Sequence, residues 1–545
     1  MPALLLFLFA LALRLLFVAA TPDGGACWHT GFQGDAPLWQ DLAARFAHGV
    51  QDPETVLPWR PPGMPWLVSM LTNGEGASLQ VVRWSFVGLG AAIPVVLWLL
   101  LRTVVTLRIA LVASLLCAVS TNLMLLSSGL HVETPYLLGV LLTLFDQRRF
   151  AHGASAWVGA RWGLAHGLLC LLRAEHVLVA AAFAALAVAN GLRWRPALFA
   201  AVAFAVPLVP WQLHANAQVA AFNTGAPALP PTALPWDDDA TAALRTLPSF
   251  QQVPVQQFVT DTIRTRGGAR VRAADLGVVR EAYGVNPVPL VPRFVALQGA
   301  MDFWLANTPE ANGAFSREAL DRAPPLVGGD ARYPRGLRTV LPRGGALSLN
   351  YPVHLDAFVN GYSRGLAEIG ADPAGAAARV LRKLWHGVQG ATGGLGGFAV
   401  PIGLSGVRRP VDLVTATGPW ADVWRAFVCV VAAVGWWRLR RERALWPLFA
   451  FAAVRFVVIA AFFGYARQGA LCVPVVAVGV AAALAAAAGA VPARAAKWLL
   501  AAFLGALLAA EMVRATGAPV AVDGRPWLGP VPGEPQFAAH TLTFA

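Results

Sequence analysis

The chain has 545 residues, of which 57% are hydrophobic and only 13% are charged, and its mean hydropathy is +0.57. A soluble protein of this length could not bury so much apolar surface, so the composition indicates a polytopic membrane protein. The net charge of +13 does not indicate nucleic-acid binding, because the basic residues cluster in short loops between apolar runs. The five cysteines form neither a Cys-x-x-Cys motif nor a Cys/His cluster, which argues against a disulfide framework or a structural zinc site.

Apolar runs in the sequence predict the membrane topology. A spanning helix needs about 20 apolar residues, and such runs predict about 11 transmembrane helices. They lie near residues 3–20, 79–101, 107–128, 131–145, 156–172, 174–190, 196–213, 421–437, 446–464, 469–490 and 497–512. The first run is predicted to be a retained helix rather than a cleaved signal peptide, because no basic region precedes it and Arg14 lies inside it. The predicted fold class is an all-α polytopic membrane protein.

The basic loops indicate the orientation of these helices. With the N-terminus inside, every strongly basic short loop falls on the same side, as the positive-inside rule requires. These loops hold Arg102 and Arg108, Arg148 and Arg149, Arg193 and Arg195, residues 438–443, and Arg494 with Lys497. The chain then divides into an N-terminal transmembrane module (1–213), an extracytoplasmic insert (214–384), a C-terminal transmembrane module (385–512) and an extracytoplasmic tail (513–545). The insert is predicted to pack over the outer face, and Asp372-Pro373 marks a helix start within it.

The first outer loop places a carboxylate at the membrane surface. After Gly34-Asp35-Ala36, apolar residues at Leu38, Leu42 and Phe46 predict an amphipathic helix that lies at the interface. Asp35 at the start of this helix is either an N-cap or a general base, and the two roles do not exclude each other. Asp41 is predicted to face a different direction from Asp35 on this helix, so it is expected to support the site rather than to act in it.

Where this loop returns to the bilayer, a proline-rich turn fixes the backbone. The turn is Arg60-Pro61-Pro62-Gly63-Met64-Pro65, and its simplest interpretation is a stiff connection. Arg60 is also well placed to meet a lipid phosphate, because its forked donors bind anionic oxygens well.

Three further groups of ionisable residues lie at predicted outer ends of helices. His131 and Glu133 are costly inside hydrocarbon, so they are expected either to pair, to line a polar cavity or to sit in an exposed turn. Arg173 and Glu175 form a second group, for which an ion pair that stabilises the turn is the simpler explanation. Tyr465-Ala466-Arg467 forms the third, and its Arg467 on the outer side either anchors to headgroups or binds a phosphate.

Together these elements resemble the GT-C superfamily of membrane glycosyltransferases, in particular the bacterial branch akin to protein O-mannosyltransferases and the lipid A aminoarabinose transferase. The similarity covers most of residues 1–213 and 421–490. It rests on Leu11 to Arg14, Gly34-Asp35 with Trp39 and Ala43, Arg60 to Gly63, Arg83, Glu133-Thr134-Pro135, Arg173-Ala174-Glu175, Tyr465-Ala466-Arg467, and Pro474 with Ala477. Two departures are the absence of a second acidic residue beside Asp35 and the presence of Gln468 where an aromatic residue is usual.

The resemblance implies a GT-C-like fold with a large extracytoplasmic insert and transfer of a sugar from a polyprenyl-phosphate donor to an acceptor hydroxyl, with inversion. It implies Asp35 and Glu133 as the catalytic carboxylates. Arg467, Arg60 and Arg173 are the implied phosphate-binding residues, and His131, Asp41 and Tyr465 the supporting ones. A divalent metal held by Asp35 and Glu133 is a further possibility, and no other cofactor is expected.

The expected location is the bacterial cytoplasmic membrane, with the active site on the outer face. The expected partners are the lipid-linked donor, membrane lipids and an acceptor that is a lipid, a polysaccharide or a protein. The sequence leaves open whether a hexose or a pentose is moved. Two alternatives remain, a transporter or flippase for a lipid-linked sugar and an inactive membrane scaffold.

Overall fold

The computed structural model describes residues 2–20, 57–72, 79–151, 155–313, 352–392, 419–464 and 466–489, with isolated residues of the segments between them. These residues are helical or lie in loops, apart from two pairs of very short antiparallel strands. These strands are β1 (Thr339–Leu341) with β2 (Gly344–Gly345), and β3 (Ala521–Val522) with β4 (Arg525–Pro526).

The N-terminal module holds α1 (Pro2–Ala20), α2 (Gly63–Thr72), α3 (Leu79–Leu101), α4 (Leu107–Ala118), α5 (Thr121–Ser128), α6 (Glu133–Ala151), α7 (Ala156–Leu172), α8 (His176–Ala189) and α9 (Trp194–Thr224). The insert holds α10 (Asp238–Arg245), α11 (Ser249–Thr265), a 3₁₀-helix (Ala273–Gly277), α12 (Val278–Tyr283), α13 (Gly299–Asn307), α14 (Pro352–Ala371) and the start of α15 (Pro373–Ala391). The C-terminal module holds α16 (Pro419–Leu439), a 3₁₀-helix (Arg443–Leu445), α17 (Trp446–Ala461), α18 (Ala466–Ala470) and α19 (Val473–Gly489).

Within the described residues, three helices are long and apolar enough to cross a membrane, or four if one bent pair counts as a span. The bent pair is α4 and α5, which meet at an angle of 52°. The sequence predicted one span over 107–128, and the structure divides this run into two helices, because Ser120 caps α5 by accepting a hydrogen bond from the Leu123 amide. Four further apolar helices, α1, α7, α8 and α19, are shorter, so the predicted total of eleven stays a prediction.

Small residues let the long helix α9 pack closely against α7. Gly159, Gly163 and Gly167 recur every four residues along α7, and a Cβ at Gly159 or Gly163 would overlap the α9 backbone at Pro196 or Ala200. Such stripes of small residues are how helices approach in lipid, where the hydrophobic effect does not drive them together. The α9 helix continues past 213, the predicted end of its span, to Thr224.

The turn that re-enters the membrane is docked onto the insert. Trp59 is buried and its ring packs edge-on against Phe358 of α14, with ring centroids 5.2 Å apart. The Leu297 amide donates a hydrogen bond to the Pro58 carbonyl at 2.8 Å. These contacts fix the backbone beside Arg60, and the packing of the whole insert over the outer face stays a prediction.

Helix α15 connects the insert to the C-terminal module. Its predicted start is confirmed, since the Asp372 side chain accepts a hydrogen bond from the Gly375 amide at 2.9 Å and Pro373 occupies the first turn. Lys383 on this helix is fully buried, and its Nζ donates to Asn307 Oδ1 at 2.9 Å and to the Ala460 carbonyl at 3.1 Å. The last carbonyls of a helix have no partner within the helix, and a lysine side chain can donate hydrogen bonds to them. Lys383 does this for the C-terminal end of α17.

Candidate functional site

Glu133 is the first residue of α6 and is almost completely buried, at 1% exposure. The N-terminus of a helix favours a negative charge, because the first backbone N–H groups lack partners within the helix. Thr134 beside it donates a hydrogen bond to the Leu126 carbonyl at 2.7 Å, which ties this helix start to α5. The fold thus holds a buried carboxylate at the start of α6, the helix end that the sequence predicts to be the outer one.

Arg173 lies in the tight turn between α7 and α8 and reaches two carboxylates. Its Nη1 lies 2.9 Å from Glu133 Oε1, and its Nε lies 2.7 Å from Glu175 Oε1. The sequence had suggested only the local pair with Glu175. The pair with Glu133 joins residues 40 positions apart, so it arises from the packing of α6 against the turn.

Arg467, on the short helix α18, approaches Glu133 from the C-terminal module. Its Nε lies 3.3 Å from Glu133 Oε1, and its side chain keeps 23% exposure. Gln468, the next residue, accepts a hydrogen bond from Arg173 Nη2 at 2.7 Å. The residue that departs from the family pattern therefore takes part in the site.

Sequence reasoning missed Arg455, which is fully buried in α17. Its Nη1 lies 3.1 Å from Glu175 Oε1, and its Nη2 donates to Gln468 Oε1. A single arginine in the middle of an apolar helix was the available signal, because ionisable groups within membrane segments are costly and mark functional sites. We call Glu133, Arg173, Glu175, Arg455, Arg467 and Gln468 the arginine cluster.

The arginine cluster brings three guanidinium groups to two carboxylates, which leaves one net positive charge among these groups. Burying unbalanced charge is expensive unless further interactions compensate it. Two buried polar atoms of the cluster have no hydrogen-bond partner in the part of the chain that the structure describes: Glu133 Oε2 accepts none and Arg455 Nε donates none. The cluster therefore has a net positive charge and, at Arg455 Nε, a spare donor that suit an anionic group, whereas Glu133 Oε2 does not.

The other predicted site residues lie around this cluster or outside the described residues. His131 is buried in the turn just before Glu133 and adds to the electrostatic field at that carboxylate. The guanidinium of Arg60 lies over the Trp39 ring, 5.8 Å from the ring centroid. This described contact is with the segment that follows Asp35 and not with the arginine cluster. Asp35, Asp41 and Tyr465 lie outside the described residues.

The interfacial segment that follows Asp35 packs beside the cluster. The described residues of 39–46 are helical, as predicted, with Trp39, Leu42 and Ala43 buried. They share an apolar core with residues of α2 and α3 and with Leu130, one position before His131. This packing connects residues 39–46 with the turn that precedes Glu133.

The described residues around Glu133 form no divalent-metal site, and Asp35, the other suggested ligand, lies outside them. Among the described residues, no group of three or more His, Cys, Asp or Glu side chains is arranged to hold an ion. Glu133 Oε1 is already occupied by Arg173 and Arg467, and two guanidinium groups at this distance repel a cation. The electrostatics here favour an anion.

Comparison with known proteins agrees with the resemblance seen in the sequence. Residues 59–214 match the family described as dolichyl-phosphate-mannose-protein mannosyltransferase. That family is a member of the GT-C superfamily, so the resemblance is confirmed over this part of the chain, which carries Arg60, Glu133 and Arg173. No curated protein matches the chain.

Two of the solved structures that match are oligosaccharyltransferases of Archaeoglobus fulgidus. One is AglB in complex with an inhibitory peptide and a dolichol-phosphate, with 15% identity and a TM-score of 0.41. The other is the apo form, with 15% identity and a TM-score of 0.42. Each match covers 94% of this chain and 55% of the other, so the chain spans about half the length of these proteins.

Proposed function

We propose that this chain is a GT-C glycosyltransferase that moves a sugar from a polyprenyl-phosphate donor to an acceptor hydroxyl at the outer face of the membrane. The arginine cluster is the observation that carries the proposal. It gathers Arg173, Arg455 and Arg467 from three separate elements around buried Glu133 and partly exposed Glu175, with a net positive charge. A lipid phosphate supplies the missing anion, and its lipid tail suits a site at the end of membrane helices.

In the proposed reaction the acceptor oxygen forms a bond to the anomeric carbon of the sugar. The bond from that carbon to the phosphate oxygen breaks, and the polyprenyl phosphate leaves with the electron pair. The hydroxyl proton passes to Asp35, which acts as the general base. Attack opposite the leaving group inverts the anomeric configuration.

Arg467 and Arg173 stabilise the negative charge that develops on the leaving phosphate. Arg467 is the stronger candidate for direct contact, because it keeps 23% exposure while Arg173 keeps 9% and Arg455 none. Glu133 and Glu175 hold these guanidinium groups in place before the donor arrives, and such preorganised charge is effective in a site that excludes water. Arg60 is proposed to meet the donor from the re-entry turn.

The test compares a strain that lacks the protein with strains complemented by the wild type, Asp35→Asn or Asp238→Asn. Mass spectrometry of the lipid and envelope fractions is expected to show that one polyprenyl-phosphate sugar accumulates and one glycosylated product disappears in the deletion strain. The wild type and Asp238→Asn, an exposed acid of the insert, restore both, and Asp35→Asn restores neither at equal protein level.

Rescue by Asp35→Asn at the wild-type level would contradict the role of Asp35. A deletion strain with no change in any lipid-linked sugar would contradict the glycosyltransferase itself.

A further inference from the structure

A hydrogen-bonded chain of three buried aromatic side chains leads from the arginine cluster into the helix bundle. Tyr136 of α6 and His176 of α8 are joined through Tyr136 Oη and His176 Nδ1, which are 2.9 Å apart. His176 Nε2 and His166 Nδ1 of α7 are 2.8 Å apart. All three residues have 0% exposure.

The chain ends in apolar surroundings. His166 packs between Trp162 and Phe183, with ring centroids 4.2 Å and 5.6 Å away, and no described group bonds to its Nε2. Neutral histidines suit this place, because the charged form is strongly disfavoured by burial without a counter-ion. Since no described group bonds to His166 Nε2 to exchange a proton with, we take the chain to hold its members in position.

At its other end the chain meets Arg173. The guanidinium carbon of Arg173 lies 5.6 Å from the centroid of the Tyr136 ring, within the range of a cation–π contact. The backbone reinforces this, because the His176 amide donates to the Arg173 carbonyl at 2.9 Å across the same turn. His176 therefore fixes Tyr136, and the ring of Tyr136 limits where the Arg173 side chain can go.

We propose that Tyr136 and His176, backed by His166, are positioning residues that orient Arg173 for the phosphate of the lipid donor. The inference rests on the proposed function, because it takes the arginine cluster to be the phosphate site. Without the chain, Arg173 keeps its two glutamate partners, but the aromatic ring that limits its angle is no longer held by a hydrogen bond. Phosphate binding is then weaker, while binding of the lipid tail is unchanged.

The test measures binding of farnesyl phosphate, and of farnesol as the probe without a phosphate, to the full-length protein in lipid nanodiscs. Tyr136→Phe removes the hydroxyl while it keeps the ring, and His176→Phe removes the whole link. Each is expected to weaken farnesyl phosphate binding by about three- to tenfold, the effect of one buried hydrogen bond. Farnesol binding stays at the wild-type level.

Because Tyr136 and His176 act in series, the double variant is expected to be no weaker than either single variant. His176→Asn keeps an amide group where His176 Nδ1 lies. It is therefore expected to bind farnesyl phosphate more tightly than His176→Phe and nearly as tightly as the wild type. Tyr136→Phe changes the volume of the side chain little, so it is expected to fold. Its binding alone decides the test if His176→Phe does not fold.

Arg173→Gln separates the two proposals. If Arg173→Gln binds farnesyl phosphate like the wild type, the phosphate site of the proposed function is wrong. If Arg173→Gln loses binding while Tyr136→Phe, and His176→Phe where it folds, match the wild type, the positioning role is overturned. An equal loss of farnesol binding in Tyr136→Phe would also overturn it, because that result shows a general loss of structure.

Discussion

Glu133 is the carboxylate on which two arginines of the cluster depend. Its Oε1 faces both Arg173 at 2.9 Å and Arg467 at 3.3 Å, although it is only 1% exposed. A buried ion pair contributes little compared with an apolar pair of the same size, but removal of one partner leaves the other charge buried and uncompensated. The stability of this region should therefore respond strongly to the loss of that single charge.

We expect Glu133→Gln to lower the free energy of unfolding by about 3 kcal/mol, seen as a lower Tm in thermal unfolding of the purified protein in detergent. Glu281→Gln is the matched control, because Glu281 pairs with Arg266 at 2.8 Å on the surface of the insert. An exposed pair contributes at most about 1 kcal/mol. Equal shifts of the Tm in the two variants would show that Glu133 does not compensate buried arginines.

Lys383 makes a separate prediction about pH. Burial, with the neighbouring charge of Arg379, lowers the pKa of Lys383 to about 8 from its usual value of 10.5. Between these two values the unfolded chain binds more protons than the folded one, so the contribution of this group makes stability rise with pH.

The difference in Tm between the wild type and Lys383→Met, which has no group to titrate, isolates that contribution. We expect the Tm of the wild type to rise relative to the Tm of the variant as the pH rises from 8 to 10. A difference that stays constant over this range, or that moves in favour of the variant, would show that the pKa of Lys383 is not lowered.

Helices α15 and α18 show how an element of the insert places a residue of the cluster. Gly464 and Gly469 flank Arg467 on either side along the chain, and a Cβ at either position would overlap the backbone of α15, at Lys383 or at Gly387. The Gly464 amide also donates to the Gly313 carbonyl at 2.8 Å. The segment that carries Arg467 is therefore held by backbone contact with the insert.

We expect Gly469→Ala to displace α18 and to reduce sugar transfer by at least about tenfold, because overpacking costs about 1–3 kcal/mol and the strain falls beside Arg467. Gly370→Ala on α14 is the control, since a Cβ there meets nothing within 4 Å. Product formation in cells at matched protein level is the measurement. Full activity of Gly469→Ala would show that the position of Arg467 does not depend on this contact.

The elements also show where sequence reasoning works. The start of α15 was predictable because capping by Asp372 and Pro373 depends only on neighbouring residues. The bend between α4 and α5 was not, because an apolar run does not reveal that Ser120 will cap a new helix. Arg455 was missed for a related reason: its role depends on contact with Glu175, 280 positions away along the chain.

At the scale of the whole molecule, the account requires the insert and the arginine cluster to be on the outer side. The basic loops predict this orientation, with residues 438–443 inside. In a Cys27→Ser background, a membrane-impermeant maleimide is expected to label Asp238→Cys in intact cells. Arg440→Cys is expected to react only after the cells are opened, and the reverse pattern would invert the topology.

The central claim, that the arginine cluster stabilises a leaving lipid phosphate, is tested most directly by the rate at which purified protein releases polyprenyl phosphate. The donor is the lipid fraction of the deletion strain, in which the lipid-linked sugar is expected to accumulate, supplied with the envelope fraction as acceptor. We predict that Arg467→Gln releases polyprenyl phosphate about 10²-fold more slowly than the wild type, the usual effect of losing one preorganised charge partner. The exposed variant Arg280→Gln is predicted to match the wild type, and an Arg467→Gln enzyme as fast as that control would contradict the account.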